Sequence, residues 1–115
     1  MDDQSIEHEI QANGLTAPRV TPADIEANIR SETYFTAMDG MRGSASPLLV
    51  GDEGPLSLLT FCVLVLRNGF TVTGESACAS PENFDADLGR KIARQNAISK
   101  VWPLMGYALK EQLAK

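Results

Sequence analysis

The chain is poor in the residues that carry most enzyme chemistry: one histidine, His8, two cysteines, Cys62 and Cys78, and one tryptophan among 115 residues. Structural or catalytic zinc needs several nitrogen and sulfur ligands at compatible spacing, and these three side chains do not supply them. No metal and no cofactor is expected. Two cysteines are also too few for a disulfide framework. Long hydrophobic runs are missing as well. The longest, Leu56 to Leu66, is interrupted by Ser57 and Thr60 and reaches about half of the ~20 residues needed to cross a bilayer. The acidic, amphipathic start MDDQSIEHEI has neither the positive flank nor the apolar core of a secretory signal. A cytoplasmic location without a membrane partner is therefore expected. Positive charge is in deficit, with 10 Lys and Arg against 15 Asp and Glu, a net charge of −5 and pI near 4.7. That balance argues against wrapping duplex nucleic acid, whose affinity comes mainly from cations neutralising phosphates.

What is present reads as an ordinary folded domain. Hydrophobic residues make up 43% and charged residues 22% of the chain, far from the composition of disorder. A length of 115 residues suits one core, so residues 1–115 are expected to form a single α+β domain. A first helix is predicted from about Gln4 to Ala12, with Ile6 and Ile10 on one face and Asn13-Gly14 as its stop. A second starts at Thr21, where Thr21, Pro22 and Asp24 form an acidic capping box, and Ile25 and Ile29 are predicted to share its face. Between them, Pro18 stiffens a short connection that can aim Arg19 at a partner. Arg19 also reads as a surface arginine beside an acidic helix.

Residues 38–55 carry four glycines, Gly40, Gly43, Gly51 and Gly54, and two prolines, Pro47 and Pro55. This stretch is predicted to be a flexible loop, a functional flap or an insertion, with Leu48-Leu49-Val50 as a short edge strand. The strongest local signal follows. LSLLTFCVLVL and FTVTGESA flank Asn68-Gly69, the pattern of a β-hairpin closed by a two-residue turn. In that register Arg67 faces Phe70, and Phe61, Val63, Val65, Phe70 and Val72 form the core face. Cys62 then lies opposite Glu75 and Cys78 falls on the other face, leaving two free thiols; a bulge would change this parity. A long helix is predicted from an Asn83 cap to about Trp102, with a kink or end at Pro103 and a last segment from Tyr107 to Leu113. Hairpin, long C-terminal helix and short N-terminal helices together make an α+β layer.

Motifs for catalysis are scarce. Gly74-Glu75-Ser76-Ala77-Cys78 resembles a nucleophile elbow but lacks its last glycine, and His8 is the only imidazole base. Asp85 and Asp87 are two residues apart, so their carboxylates diverge. No enzyme is expected. The feature with binding chemistry is GRKIARQN, which sets Arg90 and Arg94 at i, i+4 on one helical face, a fork suited to phosphate oxygens. The alternative is that Arg90 pairs with Asp87 or Glu82 as solvated surface charge.

APRVTPADIEANI, LRNGFTVTGESAC and PENFDADLGRKIARQNAISKVWPLMGY resemble segments of a small phage-protein family named after the gene-forty-nine and gene-sixty-six products of two tailed phages. The family is similar to an anti-defence protein of the Thoeris type, a sponge for glycocyclic ADP-ribose. The likeness covers Gly14 to Arg30 and Leu66 to Tyr107, and the 38–55 loop has no counterpart in it. The resemblance implies a homo-oligomer in the cytoplasm of an infected or lysogenic bacterium. It implies sequestration of an intact nucleotide signal, glycocyclic ADP-ribose or a cyclic oligonucleotide, at a subunit interface. Carried onto this chain, it makes Arg19, Arg90 and Arg94 the candidates for phosphate contacts. Phe70, Thr71 and Phe84 are candidates for base or ribose packing, with Phe70 equally readable as core. The competing expectation is a phage accessory protein that binds another protein and no nucleotide.

Overall fold

The computed structural model describes residues 2–115. Helix α1 (Asp3–Ala12) is capped by the Asp2 carboxylate, which accepts from the Ser5 N–H. Gly14 follows it at φ 67°, a left-handed backbone that suits glycine. Helix α2 (Pro22–Ala27) starts with the predicted capping box: Thr21 and Asp24 exchange side-chain bonds with each other's N–H groups.

The chain then turns at Asn28 into strand β1 (Ile29–Thr36). Sequence reasoning missed this strand and put Ile29 on the second helix. A second capping box, Thr36 with Asp39, opens helix α3 (Ala37–Arg42). The stretch read as a loop over 38–55 thus holds most of α3 and the start of α4 (Glu53–Ser57). Only 43–52 lies outside both helices, and Leu48-Leu49-Val50 forms no strand.

Strands β2 (Leu59–Leu66) and β3 (Thr71–Ala77) form the expected hairpin, and β1 joins the other side of β2. The result is a three-stranded antiparallel sheet of order β1-β2-β3. The hairpin register differs from the expected one. Cys62 pairs with Gly74 and Leu64 with Val72, while the Leu66 N–H donates to Phe70 O at 2.9 Å. The turn is therefore three residues, Arg67-Asn68-Gly69, with Gly69 at φ 90°, a type I turn closed by a glycine bulge. One extra turn residue reverses the parity of one strand against the other.

The core face is consequently Thr60, Cys62, Leu64 and Leu66 with Val72, all buried. Phe61, Val63 and Val65, expected to be core, lie half-buried on the other face, and Phe70 is 56% exposed at the turn. Cys78 has the parity of Cys62, not the opposite one. It lies beyond Ala77, opposite Leu58, and both thiols are free.

Helix α5 (Ala86–Leu113) lies across the core face, capped by Asp85, whose carboxylate accepts from Leu88 N–H. Asp85 takes the capping role expected of Asn83, which belongs to a 3-10 turn (Pro81–Asn83). The helix runs unbroken through Pro103. Ser99 and Pro103 are both exposed, so the carbonyl that loses its N–H partner is turned to water. Gly89, Ala93, Ala97 and Val101, spaced by four, form its buried line. Small residues let helix and sheet approach closely. A Cβ on Gly74 would sit 2.2 Å from both Ala93 O and Ala97 N, and one on Gly89 would meet Thr60 Oγ1 at 3.2 Å. Trp102 Nε1 donates to Asp3 Oδ2 at 3.0 Å and ties α1 to α5. No helix among the described residues is long and apolar enough to cross a membrane.

Candidate functional site

The amino-terminal end of α5 meets the start of β2 and the end of β1. Here a recess of about 130 Å3 is lined by Tyr34, Phe35, Thr36, Asp39, Thr60, Phe84, Ala86 and Arg90. Each element contributes for a local reason. The 3-10 turn at Pro81–Asn83 sets Phe84 in extended backbone just before the helix. The Asp85 cap starts α5, so Arg90 emerges in its second turn. The capping box at Thr36 holds Asp39 at the rim, and its hydrogen bond with the Thr36 N–H keeps that carboxyl below its ordinary range. The phenol of Tyr34 donates to Glu32 Oε2 at 3.1 Å. Burial first, then the neighbouring Cys62 and the hydrogen bond to Glu32, push its pKa up to about 12, so it remains a neutral donor.

Of the expected site residues, Arg90 and Phe84 are brought together here. Arg90 also pairs with Asp87 one turn back, the surface pairing foreseen as its alternative. Arg94 is the next turn along, but its guanidinium is already engaged. Nε donates to Glu32 Oε2 at 2.6 Å, and Nη1 and Nη2 donate to the two Glu26 oxygens at 3.1 and 2.7 Å. Those bonds raise its pKa further above the usual arginine value. Arg94 thus clamps α2 and β1 to α5, and a phosphate would have to compete with two carboxylates for it.

Arg19 lies elsewhere. Its Nη1 and Nη2 donate to the two Glu7 oxygens at 2.6 Å each, so the acidic helix beside it is its partner. The Arg19 bonds, with a smaller contribution from Gln11, hold the Glu7 carboxyl down to about 2. Arg19 instead rims a separate groove of about 460 Å3 with Val20, Ala27, Arg67, Met105 and Leu109. Phe70 and Thr71 sit beside the hairpin turn, Thr71 exposed opposite Val65. The six expected residues therefore do not converge within one chain.

Sequence reasoning overlooked Tyr34, Thr36, Asp39 and Thr60, because three of them come from β1 and α3, where no strand was foreseen. Tyr34-Phe35-Thr36 is rich in β-formers, and Thr36 to Asp39 repeats the capping spacing of Thr21 to Asp24. Those were the available signals. Among the described residues no group of three or more His, Cys, Asp or Glu side chains is arranged to hold a metal ion.

No curated protein and no solved structure matches the chain. The model of a phage protein family, described as the N4 Gp49/phage Sf6 gene 66 family, matches residues 20–113, which span α2 to the end of α5, and the chain belongs to that family.

Proposed function

We propose that this phage protein binds and sequesters a nucleotide immune signal, glycocyclic ADP-ribose or a cyclic oligonucleotide, without cleaving it. The observation that carries the reading is the recess at the start of α5, which Arg90 and Phe84 line together with the hydroxyl-bearing Tyr34, Thr36 and Thr60. Guanidinium donors suit phosphate, an aromatic face suits a base, and hydroxyls suit ribose. A recess of about 130 Å3 is smaller than the ~300–1,000 Å3 of a typical small-molecule site. It takes one phosphate and its neighbouring ring, and the rest of the signal extends onto a second subunit. Its one rim carboxylate, Asp39, is committed to the Thr36 cap, which fits holding rather than hydrolysing.

Arg90→Ala tests this. Arg90 has a side chain 43% exposed and paired only within its own helix, so melting should be nearly unchanged. Loss of a charge-assisted phosphate contact should weaken binding about tenfold to a hundredfold, and Arg90→Lys should recover part of it. The bound signal should return intact after heat denaturation. A degraded product would instead establish an enzyme, and unchanged affinity in Arg90→Ala would remove this site. A second reading, a protein-binding accessory with no nucleotide, is favoured by the half-buried Phe61, Val63 and Val65 on the sheet face away from α5. It predicts no affinity for any such nucleotide.

A further inference from the structure

Two apolar features of this chain have no counterpart within it. The first is a ridge between α3 and α4, Leu48-Leu49-Val50, with exposures of 39, 65 and 103%. The second is the groove of about 460 Å3 at the other end, floored by Val20, Ala27, Met105, Ala108 and Leu109. The groove arises because α5 outruns the sheet. Its 28 residues extend about 42 Å, against about 26 Å for the eight residues of β2. The buried line of α5 continues past Val101 to the half-buried Met105 and Leu109 and the exposed Leu113, with no strand left beneath it. The chain is accordingly elongated, 56 × 30 × 18 Å. Its radius of gyration of 17.7 Å exceeds the roughly 13 Å of a compact chain this long.

Ridge and groove cannot meet in one molecule. The ridge leads through α4 into the start of β2, whereas Arg67 on the groove rim follows the end of that strand. Their charges are complementary. Asp52 and Glu53 follow the ridge after Gly51, and the rim carries Arg67, which has no ion pair among the described residues, beside the Glu7-bound Arg19. Asp24, the rim carboxylate, is engaged with the Thr21 N–H.

We propose that the Leu48–Val50 ridge of one copy seats in the Val20/Met105/Leu109 groove of a second copy of this chain, with Asp52 and Glu53 facing Arg67. Such a contact joins two different surfaces head to tail, and closed rotation turns it into a ring. It is argued from apolar and charged surface alone and stands without the nucleotide reading.

The contact is tested with the full chain by sedimentation equilibrium and native mass spectrometry. Leu49→Asp spoils the ridge and Ala108→Glu fills the groove. Both positions are exposed, so circular dichroism and melting should match the parent. The parent should assemble beyond a monomer at micromolar concentration, and each variant should raise the dissociation constant at least about tenfold. Mixing the variants should then restore a pair of two chains, since the intact ridge of one meets the intact groove of the other. A monomeric parent, variants that assemble like the parent, or a mixture that stays monomeric while both variants are folded overturns the proposal. None of these outcomes depends on whether a nucleotide binds.

Discussion

The two faces of the sheet carry nearly the same amount of apolar side chain on β2, yet they have opposite fates. On one, Cys62, Leu64 and Leu66 are sealed by α5, and Cys62 and Leu64 are 0% exposed. On the other, Phe61, Val63 and Val65 stay half-buried. Their main relief is the Phe61–Phe35 contact, with ring centroids 5.5 Å apart, and α3 at one end, where Gly40 packs against Phe35. Hydrophobicity along β2 does not distinguish them. The difference comes from the neighbours: β3 offers Gly74 and Val72 to the first face and Thr71, Thr73 and Glu75 to the second. A helix can lie close only where the sheet is low, and Gly74 is the low point.

The sharpest way to break this comparison is Gly74→Ala. The new methyl would sit 2.2 Å from Ala93 O and Ala97 N, both backbone atoms, so helix and sheet must separate. A loss of at least about 4 kcal/mol, or failure to fold, is expected in urea titration. A near-parental midpoint would mean that Gly74 is not what sets the approach of α5.

A smaller effect compares the faces directly. Leu64→Ala should cost about 2–5 kcal/mol, because the side chain is wholly enclosed. Its neighbour Val63→Ala should cost about 1 kcal/mol. Equal losses in chemical denaturation would show that the second face is covered as well, by a subunit that persists during the measurement.

The smallest expected effect concerns Arg19, which lies away from both faces. Glu7 has its folded pKa held down to about 2 by the Arg19 and Gln11 bonds, against an ordinary 4.5. A depressed carboxylate contributes stability that is complete above its ordinary pKa and is lost as pH falls through the folded one. The melting temperature of the parent should therefore exceed that of Glu7→Gln at neutral pH, and the gap should close between about pH 5 and pH 2. A gap that ignores pH would assign the effect to packing.

Much of the local structure was legible in the sequence because its causes lie within a few residues. The Thr21-Pro22-Asp24 box starts α2, Asn13-Gly14 ends α1, and β-branched runs around Asn68-Gly69 make the hairpin. Arg90 was legible from its helical spacing to Arg94, whereas Phe84 entered only through the family resemblance, and the recess that joins Phe84 to Arg90 is a product of the fold. Strand β1 was not legible. Ile29–Thr36 shows no two-residue alternation, with four exposed polar residues in a row from Arg30 to Thr33, so only pairing with β2 makes it a strand. The cleft residues Tyr34 and Thr36 were hidden along with it, and Arg94 could not be seen as a clamp before Glu26 and Glu32 had been brought to it.

By itself, then, the sequence determined the helix starts, the hairpin and the α+β class, through hydrogen bonds and backbone preferences that reach three or four positions along the chain. Only the tertiary structure decided which hairpin face is core. Both faces are apolar on β2, and a single extra residue in the turn, with Gly69 at φ 90°, reverses which β3 side chains join each one. It also decided that α5 continues past Pro103, since the released carbonyl lies on the watered side, and that the candidate arginines are parted. Arg90 belongs to the recess at the start of α5 and Arg19 to the groove at Met105 and Leu109 near its other end, and the length of that 28-residue helix keeps the two apart.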